Sequence, residues 1–218
     1  MKPRLAKQRN QALTKIDVVV IIAVLAILAA LLLPALAASK RKSSRIGCVG
    51  NLKQVGIAFR LWEGDNNDKY PMSVSVTNGG AMERLAAGNV VACFQVMSNE
   101  LSTPGILHCP ADTTHFAATN FSTGFSSANI SYFLNPDAAD THPQMIMLGD
   151  ANLLVDGKPV QPGILILWTN QTIAWAKDRH HNVGNLGMTD GSAMQVISDG
   201  LRQALWQTGA VTNRWLIP

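Results

Sequence analysis

Residues 1–45 decide the fold, and they read MKPRLAKQRNQALTKIDVVVIIAVLAILAALLLPALAASKRKSSR. A short basic segment leads into an apolar run, Val18–Ser39, that contains no charged residue. A helix needs roughly 20 such residues to cross a bilayer, so this run is long enough. Asp17 stands at its entry, where a carboxylate costs a few kcal/mol unless it has a partner or a function. This acid therefore requires an explanation.

The apolar run predicts a single-pass anchor. It is too long for the apolar core of a removable secretory signal, and no A-x-A cleavage site separates it from the residues after it. Basic residues flank both ends, so the positive-inside rule does not decide the orientation. The short leader favours a cytoplasmic N-terminus, whereas the basic cluster 40–45 favours the opposite.

The net charge of the whole chain is misleading. The formal charge is +4 and the pI is about 9.1. From Ile46 to Pro218, however, 9 Lys and Arg stand against 13 Asp and Glu, a net charge of −4. A nucleic-acid-binding domain needs clustered basic residues on a folded face. The sequence therefore gives no support for nucleic acid as a partner.

The helix is expected to continue beyond the apolar run. An apolar stripe follows at the three- and four-residue spacing of a helix face, formed by Leu52, Val55, Phe59 and Trp62. Pro34 is expected to kink the helix without ending it, and Gly64 with the polar residues 65–68 is a stop signal. We predict one helix over residues 13–64, with a transmembrane part at about 16–38.

The remainder, residues 65–218, has the short apolar runs and turn residues of a sheet domain. The candidate strands are Val90–Val96, Ile130–Leu134, Met145–Leu148 and Ile164–Trp168. Residues 185–197 predict a hairpin with a two-residue turn at Asp190 and Gly191. Ser198 or Asp199 is expected to cap a last helix, residues 201–206. The predicted fold class is α+β, a long N-terminal helix packed on a small, mainly antiparallel sheet.

Residues 12–18, ALTKIDV, resemble the processing site of type IV prepilins and type II secretion pseudopilins. The resemblance implies a pilin-like fold, cleavage between Ala12 and Leu13 by a prepilin peptidase, and N-methylation of Leu13. It also implies that Asp17 neutralises the new amine of a neighbouring subunit during filament assembly, with Pro34 in the middle of the assembly helix. The family usually has Gly, Phe, Leu and Glu where this chain has Ala12, Leu13, Lys15 and Asp17. An alternative is that Asp17 only caps the helix or lies at headgroup level.

Further segments resemble a pseudopilin-like subgroup that is abundant in planctomycete and verrucomicrobial bacteria. The subgroup has five patterns with counterparts here: R-x-x-C-x-x-N-L-K-Q-x-G at 45–56, Y-x-x-D-N-x-x-x-Y-P at 62–71 with Trp62 in the place of the first Tyr, C-P-x-D at 109–112, S-Y-x-x-N at 131–135, and H-x9-D-G at His180, Asp190 and Gly191. Cys48 and Cys109 lie in two of these patterns, so the resemblance favours a disulfide between them. Cys93 is then expected to be a buried apolar residue. No C-x-x-C occurs, so the sequence gives no support for zinc.

The acidic and histidine residues near the C-terminus are of the types that form catalytic or metal sites. The sequence lacks G-x-S-x-G and H-E-x-x-H, and we favour a structural role in which His180 pins the hairpin by a hydrogen bond. Calcium is the alternative cofactor, with Asp190, Asp199 and the acids of residues 65–68 as oxygen ligands. Their spacing matches no known calcium loop, and otherwise no cofactor is expected.

The resemblance implies a non-enzymatic filament subunit of a type II secretion or type IV pilus-like machine. Its partners would be the prepilin peptidase and methyltransferase, other pilin-like subunits, an inner-membrane assembly platform and membrane lipid. The chain would cross the inner membrane once and place residues 65–218 in the periplasm. The alternative is a monomeric, membrane-anchored binding module for sugars or peptides that retains its leader and uses exposed tryptophans among Trp62, Trp168, Trp175, Trp206 and Trp215.

Overall fold

The structure is a computed structural model that describes residues 14–168 and 170–218. The expected leader, residues 1–12, and the expected cleavage pair, Ala12 and Leu13, lie outside the described residues. The chain divides into two compact units, of which the first ends at Lys40 and the second spans Arg41–Pro218.

The described part of the first unit is the beginning of helix α1, Lys15–Asp65. The Asp17 carboxylate accepts a hydrogen bond from Thr14 N at 2.8 Å, and Thr14 Oγ1 accepts one from Asp17 N at 3.2 Å. Pro34 lies inside α1 and does not end it. Every large hydrophobic side chain between Ile16 and Leu36 is at least 45% exposed. In the described chain, α1 is the one helix that is long and apolar enough to cross a membrane.

The part of α1 in the second unit buries one face. The residues of the predicted stripe, Leu52, Val55, Phe59 and Trp62, are all buried, together with Cys48. The helix ends where Asn66 N and Asp68 N both bond back to Glu63 O. Asn67 and Asp68 then adopt positive φ values of 57° and 55°, which redirect the chain.

Short helices follow, and one of them corrects a prediction. The further α-helices are α2, Met82–Ala86; α3, Val90–Val96; α4, Ser98–Leu101; and α5, Ser198–Gln207. The prediction of a strand at Val90–Val96 was wrong, because these residues form α3. The Asn89 side chain accepts from Ala92 N at 3.3 Å and caps this helix. A seven-residue apolar run does not distinguish a buried strand from a buried helix by its periodicity.

Nine strands form two antiparallel sheets in the described part of the chain. They are β1, Tyr132–Leu134; β2, Ile146–Asp150; β3, Leu153–Val155; β4, Lys158–Pro159; β5, Gly163–Trp168; β6, Ile173–Trp175; β7, Val183–Met188; β8, Ala193–Ile197; and β9, Thr212–Ile217. The larger sheet has the order β5-β9-β1-β2-β7-β8, and the smaller has the order β4-β3-β6. In the larger sheet Tyr132 pairs with Asp150, and Gly149 pairs with Leu186. The fold is therefore α+β, with one long apolar N-terminal helix and an antiparallel sheet domain.

The two faces of the larger sheet belong to different core clusters. On β1, Tyr132 and Leu134 pack in the cluster that contains the buried face of α1. Phe133 points the opposite way and stacks on Trp215, with ring centroids 4.0 Å apart. Leu201 and Leu205 of α5 belong to this second cluster, which also includes residues of the smaller sheet. Successive side chains of a strand point to opposite faces of the sheet. The residues of α1 therefore pack on one face of the larger sheet, and those of α5 pack on the other.

The C-terminal hairpin and helix differ in detail from the prediction. β7 and β8 are joined by four residues, 189–192, and not by a two-residue turn. This longer loop is held by the Tyr70 hydroxyl, which donates to Thr189 O at 2.7 Å. Gly191 has a φ of +82°, and a Cβ on Gly56 would lie 3.2 Å from Gly191 Cα. Two glycines therefore allow α1 and the hairpin loop to come close together.

The predicted cap of the last helix is also wrong. The N-cap residue of α5 is Ile197, and it makes no side-chain capping hydrogen bond. Ser198 Oγ instead accepts from Trp175 N at 3.1 Å, and Asp199 forms an ion pair with Arg202. Both side chains serve other contacts, so a polar residue at the predicted position does not cap this helix.

Replacing Leu52 by Ala tests whether α1 belongs to the core. Leu52 is fully buried, and we expect the substitution to lower the free energy of unfolding by about 2–5 kcal/mol. The control is Leu61→Ala on the same helix, where the side chain is 55% exposed and the expected change is within about 0.5 kcal/mol. Urea unfolding in detergent micelles measures both values. Equal costs for the two variants would contradict this packing.

Candidate functional site: a buried polar cluster at the Cys48–Cys109 disulfide

A disulfide joins α1 to a loop. Cys48 on α1 and Cys109, which follows the 3-10 turn Pro104–Leu107, are bonded with a Cα–Cα distance of 5.2 Å. This is the pair that the resemblance implies. Asn51, one turn along α1, donates to His108 O at 2.9 Å beside the bridge. Closing a loop of 61 residues restricts the unfolded chain, which corresponds to about 4 kcal/mol of stabilisation.

His180 lies directly against this disulfide. Its Nε2 is 3.3 Å from Cys109 Sγ and 3.7 Å from Asp150 Oδ2. Its backbone carbonyl accepts a hydrogen bond from Arg45 at 3.1 Å. Burial lowers the pKa of His180 to about 4, and the charges of Arg45 and Arg179 act in the same direction. At neutral pH the ring is therefore neutral, and its contact with Asp150 is not an ion pair.

Asp150 is the buried carboxyl group of the cluster. It ends β2, and its Oδ2 accepts from both the backbone N and the side-chain Nδ2 of Asn185 on β7, each at 2.8 Å. Its other oxygen, Oδ1, has no hydrogen-bond partner among the described residues. Burial raises the pKa of Asp150 to about 7. A buried carboxyl group with an unpartnered oxygen is costly and requires an explanation.

A second polar network lies next to the first. Arg179 NH2 is 2.6 Å from Asp112 Oδ2, and His115 Nδ1 is 2.8 Å from the same oxygen. Ser131 Oγ donates to Asp112 Oδ2 at 2.7 Å and accepts from Cys109 N at 3.0 Å. Burial alone would raise the pKa of Asp112, but the contact with His115 and the charge of Arg179 outweigh it and hold the pKa below its ordinary value. Ser131 thus couples the ion pair to the backbone of the disulfide loop.

Four ligand-type groups converge at the disulfide. The two sulfur atoms of Cys48 and Cys109, a carboxylate oxygen of Asp150 and a ring nitrogen of His180 all lie within 4.8 Å of one another. All four residues are buried. Within residues 14–168 and 170–218, this is the one group of three or more such side chains with metal-binding spacing.

The three residues of the H-x9-D-G pattern have separate roles. His180 belongs to the disulfide cluster, whereas Asp190 Oδ1 accepts from Ser192 N at 2.8 Å within the hairpin loop. Gly191 supplies the positive φ value and the close approach to Gly56. The side chain of His180 contacts Cys109 Sγ, and Asp150 holds β7 through Asn185. The hypothesis that His180 pins the hairpin stays a prediction.

The calcium hypothesis stays a prediction. Asp199 is engaged with Arg202 on the surface, and Asp190 is engaged in its own loop. Asp65 and Asp68 are exposed. Neither Asp190 nor Asp199 belongs to the four ligand-type residues at the disulfide.

Sequence reasoning missed Asp150 as a site residue. The available signal was an acid directly after the apolar residues 146–148 and Gly149, at the end of a strand. Cys93, by contrast, is a free cysteine buried in α3. Burial raises the pKa of its thiol, so this side chain is not a reactive nucleophile.

Comparison with known proteins identifies no relative. No family model, no curated protein and no solved structure matches the chain.

Substituting Asp112 by Asn tests the buried ion pair and its pH dependence. Because the pKa of Asp112 is lowered in the folded state, its stabilisation is complete above the ordinary value of 3.8 and is lost as the pH falls below it. Asp112→Asn is expected to cost about 3–5 kcal/mol at pH 7, and less at pH 3. Urea unfolding at the two pH values measures this difference.

The matched control is Asp137→Asn. Asp137 pairs with Arg214 on the surface, where both side chains are substantially exposed. Such a pair contributes about 1 kcal/mol or less. If Asp112→Asn cost no more at pH 7 than at pH 3, the buried-pair account would be wrong.

Proposed function

We propose that the chain is a pseudopilin-like filament subunit of a type II secretion or type IV pilus-like system. In this proposal a prepilin peptidase cleaves between Ala12 and Leu13, and the new N-terminus is methylated. The subunit then assembles through the apolar part of α1. Its function is mechanical and not enzymatic.

The observation that carries the proposal is the exposed apolar surface of α1. Fourteen large aliphatic side chains between Ile16 and Leu36 are exposed. Burying each of them is worth about 1.5–3 kcal/mol, so this surface requires lipid, other helices or both. In a filament, neighbouring helices would cover this apolar surface after the subunit leaves the membrane. In a plain anchor, lipid alone would cover it.

Asp17 distinguishes assembly from simple anchoring. In the single chain its carboxylate caps α1 through Thr14 N. In the proposed filament the same carboxylate also neutralises the α-amino group of a neighbouring subunit, since a buried unpaired charge is costly. The proposed partners are therefore the processing enzyme, other pilin-like subunits, an inner-membrane assembly platform and membrane lipid.

The disulfide cluster is consistent with a structural role. Cys109 Sγ is bonded to Cys48, so it offers no thiolate for nucleophilic attack beside His180. An envelope compartment that permits disulfides is the location in which such a bridge persists. The proposal accordingly places the C-terminal unit in the periplasm and the apolar helix in the inner membrane.

A second candidate function rests on two exposed tryptophans. Trp62, Trp175 and Trp215 are buried, but Trp168 and Trp206 are 53% and 70% exposed. These two side chains line one surface cleft together with Asn170 and Arg202. Aromatic rings with polar neighbours are suited to sugars or peptides, which would make the chain a membrane-anchored binding module.

Replacing Asp17 by Asn tests the negative charge of this side chain separately from its role in capping α1. Asn retains an acceptor for Thr14 N but loses the negative charge, so the helix cap is preserved. We expect Asp17→Asn to reduce cross-linked multimers in native membranes at least fivefold without lowering the amount of the protein. Chemical cross-linking followed by immunoblotting shows these multimers as a ladder of bands, whose intensities are compared.

The control for this test is Asp65→Asn at the other end of the same helix. Asp65 is exposed, and its substitution should leave the ladder unchanged. Equal ladders for Asp17→Asn and the unaltered chain would remove the assembly role of Asp17 and favour the binding module.

A further inference from the structure

We propose that the Cys48–Cys109 disulfide occupies a latent Zn²⁺ site, and that after its reduction Cys48, Cys109, Asp150 and His180 bind one zinc ion. The chain would then have two alternative cross-links at the same place, a disulfide when oxidised and a metal ion when reduced. This inference concerns only the second unit and does not depend on the proposed filament function.

The spacing of the ligand atoms supports a tetrahedral site. Zinc binds sulfur at about 2.3 Å, and nitrogen and oxygen at about 2.0–2.2 Å, so neighbouring ligand atoms in a tetrahedron lie about 3.3–3.8 Å apart. His180 Nε2 is already 3.3 Å from Cys109 Sγ. All four ligand atoms lie within 4.8 Å of one another. Reduction leaves the two sulfur atoms free to separate to this spacing.

The donor types select zinc. Two thiolates and an imidazole are ligands that zinc prefers, whereas Ca²⁺ and Mg²⁺ prefer oxygen ligands. Four protein ligands form a closed site, which is typical of structural and not catalytic zinc. Burial of all four residues agrees with such a closed site.

Asp150 supplies a second, independent indication. Its side chain is fully buried, and its Oδ1 has no hydrogen-bond partner in the described part of the chain. Its Oδ2 is held by two donors from Asn185. A carboxylate that is oriented through one oxygen and unpartnered at the other is the arrangement expected of a metal ligand with a supporting residue.

The surrounding charges suit the zinc-bound form. Zn²⁺ with two thiolates and one carboxylate carries a net charge of −1. Arg45 donates to the backbone carbonyl of His180, and Arg179 precedes His180 directly and contacts Ser131 O at 2.6 Å. Arg45 offsets part of the excess negative charge of the site, whereas the charge of Arg179 is shared with Asp112.

The conversion is a balanced thiol–disulfide exchange followed by metal binding. A dithiol reductant gives two electrons and two protons to the Cys48–Cys109 bond and becomes a disulfide itself. The S–S bond breaks and two thiols form. Each thiol then releases its proton as it binds Zn²⁺ as a thiolate.

The test is cobalt and zinc titration of the full chain in detergent micelles. The chain is purified in detergent and then reduced with a phosphine, so both thiols are available. We expect one Co²⁺ per chain, with thiolate-to-cobalt charge transfer and tetrahedral d–d absorption, and displacement by Zn²⁺. The oxidised chain should show neither absorption. Co²⁺ absorption of equal strength in the oxidised chain would overturn the proposal.

Variants identify the ligands. Asp150→Asn and His180→Gln should each weaken zinc binding at least about tenfold, because even residues that only support a ligand contribute this much. Cys93→Ala is the control, since it removes a thiol outside the cluster and should change nothing. Each variant is first shown to fold in the oxidised form, in which the disulfide is intact. Zinc binding that depends on the two thiols but not on Asp150 or His180 would overturn the proposal.

Near-UV circular dichroism covers the case in which the reduced chain loses its native packing. Adding Zn²⁺ to such a chain should restore the aromatic signal of the oxidised protein, because the metal replaces the missing cross-link. Failure of Zn²⁺ to restore that signal, or absence of metal binding by a folded reduced chain, would contradict the latent site.

Discussion

The attachment of the second part of α1 to the larger sheet is the constraint on which the domain depends. Leu52, Val55 and Phe59 fill one face of the sheet, and the Cys48–Cys109 bond fixes the same helix to the loop before β1. Gly56, within the same buried face, lies close to Gly191 of the hairpin loop. The helix is therefore part of the core, and the apolar segment that precedes it is covalently continuous with a well-packed domain.

This attachment also creates the polar cluster. α1 brings Cys48, the loop after a 3-10 turn brings Cys109, β2 brings Asp150, and the segment before β7 brings His180. Four separate parts of the chain thus meet in a buried volume where an unpaired charge is unfavourable. The Asp112–Arg179 ion pair and Ser131 hold the loop against this group. A disulfide and a metal ion would each cross-link these segments at the same place.

The sequence predicted those features that have a local signal. The long helix and its buried stripe follow from spacing, and three of the four candidate strands and the hairpin lie close to their predicted positions. The identity of the disulfide pair came from resemblance and not from spacing. The prediction of a strand at Val90–Val96 was wrong because the periodicity of a seven-residue apolar run does not distinguish a strand from a helix. The role of His180 and the importance of Asp150 depend on contacts between distant segments, and no sequence pattern indicated zinc because the four ligands share no local motif.

The central functional claim is that the exposed apolar helix belongs to a processed filament subunit. Intact-mass and N-terminal peptide mass spectrometry of the protein from native membranes tests this claim most directly. We expect a chain that begins at Leu13 and carries one added methyl group. A chain that still begins at Met1 would contradict it and leave a membrane-anchored domain, with the cleft at Trp168 and Trp206 as its binding surface.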